Sequence, residues 1–221
     1  MHYHIQTTPI WEAYRKDGCP LCTIRAAREE RIVNQYLSDN VMDPEFRMAS
    51  NSKGFCADHI RMMYRGQNKL GLALQLETRA AYLSDLLKKP PADKKAAKKT
   101  AAALREHTGC VICSTLDEVM PRYYMTVAQM FDNEDEFPEL FGAATHCVEH
   151  ATALYDAAAY AGRKTAGFLA FLTNGMKRSL DAAERDMKAF ADCFDFKNAG
   201  MRPDVDAIPR TIALLITKDL K

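Results

Sequence analysis

The feature that most constrains this chain is a set of four metal-ligand-type residues that occurs twice. Cys19 and Cys22 form a CxxC, and after 33 intervening residues Cys56 and His59 form a CxxH. Cys110 and Cys113 repeat the CxxC, and after another 33 residues Cys147 and His150 repeat the CxxH. All four residues therefore recur at an offset of 91. Gly18 and Gly109, Phe46 and Phe137, Tyr64 and Tyr155, and Gly71 and Gly162 keep the same offset, and Thr23 is answered by Ser114. An internal duplication accounts for all of these matches together. The rest of the sequence has diverged, so the ligand set and its turns read as the physical requirement the two copies share.

This repeat organises the chain into a first helical metal-binding repeat over residues 1–89, a second over 90–197, and a tail over 198–221. The boundary falls in residues 88–100, which hold six lysines, Pro90-Pro91 and one aspartate. A 221-residue chain has length for one sizeable core or two small ones. Its 48% apolar and 27% charged residues belong to a folded protein. A net charge of +1 supplies no global attraction for nucleic acid or anionic membrane. The N-terminal residues lack a basic stretch followed by an apolar one, and no apolar run nears the ~20 residues that cross a bilayer. The expectation is a cytoplasmic protein, where thiols stay reduced and seven cysteines point to metal or redox chemistry rather than disulfides.

Local patterns are helical. Residues 10–16 predict a short helix stopped at Gly18, after which Cys19 takes the N-cap position and Pro20 the first helical position. The apolar stripe of Ala26, Ile32, Val33, Tyr36 and Leu37 extends this second helix to residue 37. Cys19 and Cys22 then share one side of a first helical turn, where free N–H groups and the helix dipole favour thiolate. Residues 38–54 predict a mostly irregular crossing with at most one helical turn. Cys56 and His59 again share a helix face, and residues 60–87 predict a long helix broken near Gly66 or Gly71. A helix over 92–106 leads into the second site. Leu154, Ala158, Ala161, Phe168 and Leu172 mark a helix after Cys147, and Leu180, Ala183, Met187, Phe190 and Phe194 mark a last one. The fold class is all-α, two tandem helical repeats in one body. Residues 3–6 and the run 212–216 are the segments with room for short terminal strands.

A Cys3His set with CxxC and CxxH ends matches structural zinc sites, and pins two helix starts with one ion. Two Zn2+ per chain are expected, held by Cys19, Cys22, Cys56, His59, Cys110, Cys113, Cys147 and His150. Spacing leaves open whether each set closes within its own repeat or between the two. Iron–sulfur ligation is the metal rival, although such clusters usually take four cysteines. Covalent c-type haem needs a histidine where Thr23 and Ser114 stand, and is excluded. Thiol–disulfide exchange at Cys19-Pro-Leu-Cys22 would not require a third cysteine and a histidine, and the strand–helix alternation of a thioredoxin-like unit is missing. His146 has Phe55 as its counterpart and reads as a surface residue or a neighbour of the site. Cys193, without a counterpart, reads as a small core residue. His2 and His4 read as solvated. The lysine cluster reads as a solvated face, with no interleaved aromatics to stack on bases.

Tyr3-His4-Ile5, Pro9-Ile10-Trp11, Cys19-Pro20-Leu21-Cys22, Gly54-Phe55-Cys56, His59 and Asn68-Lys69-Leu70-Gly71-Leu72-Ala73-Leu74 resemble a family of unknown function from anaerobic Firmicutes, domain of unknown function 6062. The resemblance covers most of the chain and is strongest over residues 3–75. It implies a bacterial cytoplasmic protein with paired cysteine motifs, and assigns no catalytic residue. Together with the four protein ligands that each repeat supplies, which leave no open metal position, this favours a non-enzymatic, zinc-stabilised scaffold with a protein partner, over a redox protein.

Overall fold

Several helix starts in this chain carry a side-chain cap that the sequence supplies. Residues 6–198 and 200–216 are described in the structure, a computed structural model. The first helix, α1, spans Thr7–Ala13, and Gly18, at φ +87°, turns the chain into α2, Pro20–Asn34. Five residues of π-helix, Gln35–Asp39, carry α2 to its end. Asp43 then accepts hydrogen bonds from the backbone N–H groups of Glu45 and Phe46, with Pro44 in the first turn, and starts α3 at Pro44–Lys53. Residues 38–54 are thus mainly helical rather than the irregular crossing expected. The Asp-Pro cap outweighs the polar composition that suggested a loop.

The long helix expected over residues 60–87 is two helices, α4 at Ala57–Arg65 and α5 at Lys69–Leu86. The break is at Gly66, as the sequence allowed, and Asn68 caps α5 by accepting from the N–H of Gly71. Asp93 likewise caps α6, Lys94–Glu106, through the N–H of Ala96. Then follow α7 at Val111–Asn133, α8 at Phe137–Ala143 and α9 at Val148–Asp156. A 3-10 turn at Ala158–Lys164, kinked at Gly162, leads to α10 at Thr165–Asp192. The helix expected from Leu154 to Leu172 is thus broken at this turn, and its second part is continuous with the last helix expected, marked by Leu180 to Phe194. Asp206 precedes the last helix, α11, at Ala207–Leu215. The tail run 212–216 is thus mostly helical, and no strand occurs among the described residues; the other strand candidate, residues 3–6, lies almost wholly outside them.

The duplication is visible in the elements. Adding the offset of 91 to α4 gives residues 148–156, the span of α9. The same step takes α1, α2, α3 and α5 onto α6, α7, α8 and α10 in order.

Packing groups the chain in a different way from the repeats. One unit comprises residues 1–26 and 119–221, the other residues 27–118. In the first, Ile10, Tyr14 and Leu21 pack with Met120, Tyr123, Val127, Phe131, Phe137, Phe141, Leu154, Phe168 and Leu172. Phe141 is the hub, stacked on Phe168 at 4.9 Å and edge-on to Phe131 at 5.4 Å. In the second, Ile32, Val33, Tyr36 and Leu37 pack with Met63, Leu72, Val111, Ile112 and Leu116. The Arg79 guanidinium there reaches the carbonyls of Asn51, Ser52 and His107, closing the C-terminal ends of α3 and α6. No helix among the described residues is long and apolar enough to cross a membrane.

Candidate metal centres

Each cysteine that opens a motif sits at the start of a helix. The Cys19 carbonyl accepts from the N–H of Thr23 and that of Cys110 from Ser114, at the heads of α2 and α7. Cys56 and Cys147 are the N-caps of α4 and α9, in extended conformation at φ −77° and −72°. The second member of each pair, Cys22, Cys113, His59 or His150, falls three residues on. All eight side chains therefore project beside free backbone N–H groups and the positive ends of helix dipoles, where thiolate is stabilised.

These eight residues converge into two clusters. Cys19 and Cys22 meet Cys147 and His150 in one unit, and Cys56 and His59 meet Cys110 and Cys113 in the other, with the ligand atoms of each cluster within 4.8 Å of one another. The pairing that spacing left open is between repeats: each CxxC closes on the CxxH of the other copy. In the first cluster the Nδ1 of His150 lies 3.1 Å from Cys147 Sγ, 3.3 Å from Cys22 Sγ and 3.6 Å from Cys19 Sγ. In the second the Nδ1 of His59 lies 3.1 Å from Cys56, 3.2 Å from Cys110 and 3.5 Å from Cys113. Sulfur pairs stand at 3.7 Å (Cys22 to Cys147) and 3.9 Å (Cys56 to Cys113). Those separations are far beyond a disulfide bond of ~2.05 Å.

Crowding so many thiols forces their protons into an uneven arrangement. Hydrogen bonds from Cys19 and Cys22 drive Cys147 far toward thiolate, while the Cys147 sulfur keeps Cys22 protonated. Burial disfavours the charged His150 ring, but Cys147 and Cys19 outweigh it and raise its pKa to about 9. In the second cluster burial would raise the Cys110 thiol, yet the His59 ring brings it down to about 6. Burial and the neighbouring Cys110 push Cys113 up to about 12. The protein groups alone thus balance each cluster with a thiolate–imidazolium pair. A dication would displace these protons and let all three sulfurs ionise.

The two clusters differ behind the histidine. The Nε2 of His59 is 2.8 Å from Oε1 of Glu29 on α2, and against the opposing effect of burial the hydrogen bonds to Cys110 and Glu29 hold His59 up to about 10. The Nε2 of His150 is buried with no protein acceptor. Sequence reasoning missed Glu29 because its counterpart at the offset of 91 is Met120, so the repeat hides it. His146 is not a surface residue but is 4% exposed, hydrogen-bonded through Nε2 to the Tyr14 hydroxyl at 3.0 Å and packed on Phe141. It stands outside the ligand cluster, and burial lowers its pKa to about 4. Cys193 is half-buried at the end of α10, its thiol directed to the Ala189 carbonyl, and belongs to neither core. His2 and His4 lie outside the described residues.

Comparison with known families matches residues 1–220 to a family of unknown function, DUF6062. The chain belongs to this family. No curated protein and no solved structure matches it. The capacity for metal coordination rests on the two Cys3His clusters themselves.

Proposed function

We propose that this DUF6062 protein is a non-enzymatic helical scaffold whose two Cys3His clusters each bind one structural Zn2+, with Cys19, Cys22, Cys147 and His150 as one ligand set and Cys56, His59, Cys110 and Cys113 as the other. The observation that carries this reading is the double convergence of three sulfurs and one imidazole nitrogen within 4.8 Å. Zn–S bonds of about 2.3 Å and Zn–N bonds of about 2.0–2.1 Å give tetrahedral edges of about 3.8 Å between sulfurs and about 3.5 Å between sulfur and nitrogen. The sulfur pairs at 3.7 and 3.9 Å and the nitrogen–sulfur separations of 3.1–3.6 Å fit one ion per cluster. An iron–sulfur cluster must place several irons and bridging sulfides between its ligands, which calls for a wider cage. Four protein ligands also fill a tetrahedral ion and leave no position for an activated water.

The repeats 1–89 and 90–197 serve in this reading as the duplicated units, with the tail over 198–221 appended. Cysteines that form no disulfide support a cytoplasmic location, and the scaffold in this reading presents a helical face to a protein partner. Phe194, Phe196 and Val205 are 70%, 84% and 75% exposed, which supports a partner-binding role for the C-terminal region. The thiol-redox reading is favoured by one observation, the partial exposure of Cys19, Cys22, Cys56 and Cys113.

Metal analysis of protein purified without oxygen tests the proposal. Two zinc ions per chain and a colourless solution are expected, with all six motif cysteines slow to alkylate until a chelator is added. Visible absorption with bound iron, or fast alkylation of Cys19 or Cys110 while metal is retained, would put the redox reading first.

A further inference from the structure

The two clusters share one ligand set and differ in what stands behind the imidazole. His59 presents its Nδ1 to three sulfurs and its Nε2, at 2.8 Å, to the carboxylate of Glu29. His150 presents its Nδ1 in the same way, but it is wholly buried and its Nε2 meets no protein acceptor. The duplication shows where the difference arose. The position that matches Glu29 at the offset of 91 is Met120, a buried core residue without an oxygen. A carboxylate on the far nitrogen of a metal-bound histidine fixes its tautomer and orientation and makes the coordinating nitrogen more basic. Loss of such a partner typically costs 10–100-fold in metal affinity.

The geometry points to a division of labour between the centres: the Glu29-backed centre of Cys56, His59, Cys110 and Cys113 is the permanent one, and the centre of Cys19, Cys22, Cys147 and His150 is the exchangeable one. Glu29 acts here as a positioning residue, through His59. The labile centre responds to the supply of free zinc, or to chelating acceptors, over a range where the other stays filled. This inference rests on the proposed zinc reading and refines it by giving the two sites unequal roles.

Equilibrium competition of the zinc-loaded full-length protein against the chromogenic chelator 4-(2-pyridylazo)resorcinol tests it, with alkylated cysteines mapped by mass spectrometry at each step. Zinc should leave in two steps separated by about 10–100-fold in affinity. Cys19, Cys22 and Cys147 should become reactive in the first step and Cys56, Cys110 and Cys113 in the second. Glu29→Ala should draw the second step toward the first, and Glu29→Gln, which keeps an acceptor but loses the charge, should fall between. Circular dichroism at full zinc loading separates this effect from misfolding. Release of both ions in one step, or first exposure of Cys56, Cys110 and Cys113, would overturn the division while leaving two zinc sites in place. A protein that takes up no zinc at all would overturn the zinc reading itself.

Discussion

At the scale of single residues, the crossed pairing of ligands makes a sharp prediction. Cys56→Ser removes one of three sulfurs from the cluster it forms with Cys110 and Cys113. Zinc sites in small peptides contribute ~10–16 kcal/mol of binding energy that is also folding energy, so this centre should empty and its unit lose most of its stability. Alkylation of the zinc-loaded variant should then be fast at Cys110 and Cys113 and remain slow at Cys19, Cys22 and Cys147. Protection of Cys110 and Cys113 together with Cys147 would instead mean that each repeat closes on itself. Cys193→Ser, by contrast, should leave the zinc content at two, because that thiol only reaches a helix carbonyl. The eight ligand-type residues were legible because sulfur and imidazole at fixed spacing have few other uses. Their pairing was not, since within-repeat and between-repeat closure share the same spacing. Glu29 was hidden as one glutamate among the polar positions of a helix, and His146 looked peripheral because nothing in its neighbours announces the aromatic pocket of Tyr14 and Phe141.

At the scale of elements, helix starts were easier to read than helix extents. Gly18, Pro20 and the cysteines located the heads of the site helices, whereas the Asp43-Pro44 start of α3 was outvoted by surrounding polar residues. The repeated glycines show a further limit of pattern reading. Gly71 and Gly162 share the offset of 91, which suggests turns, but Gly71 lies inside α5 against the Leu37 backbone. Gly162 does turn the chain, at φ +53°, and a Cβ there would also come within 2.6 Å of Asp132 Oδ2. A Cβ on Gly71 would overlap the Leu37 carbonyl oxygen, which belongs to backbone and cannot swing aside. Gly71→Ala should therefore cost about 1–3 kcal/mol through displacement of α5, despite the gain in helix propensity. Gly167→Ala in α10 is the control, because its new methyl meets Phe131 at an ordinary 3.8 Å. It should be neutral or stabilise by up to about 1 kcal/mol. Urea denaturation of the zinc-loaded variants measures both, and equal midpoints for the two would refute the packing explanation.

At the scale of the whole molecule, duplication and packing divide the chain along different lines. The sequence repeats are consecutive, but residues 1–26 pack with residues 119–221, and residues 27–118 form the other unit. Helices α2 and α7 each begin in one unit and end in the other, so their apolar residues serve two cores: Leu21 and Ile24 of α2 belong to one, Ile32 and Val33 to the other. Neither sequence half contains a complete ligand set. A fragment of residues 1–89 holds Cys19 and Cys22 without Cys147 and His150, and Cys56 and His59 without Cys110 and Cys113; residues 90–221 hold the four missing partners. Two ligands per site leave a zinc ion with half its protein coordination, and each fragment also lacks much of both cores. Each fragment purified alone should therefore bind zinc weakly and show little cooperative unfolding. Mixing or co-expressing the two should restore two zinc ions per complementary pair, slow alkylation of all six motif cysteines, and a cooperative thermal transition followed by circular dichroism. A 1–89 fragment that takes up one zinc by itself, with Cys19, Cys22 and Cys56 all protected, would show that a repeat closes its own site and that the crossed pairing is not required for folding.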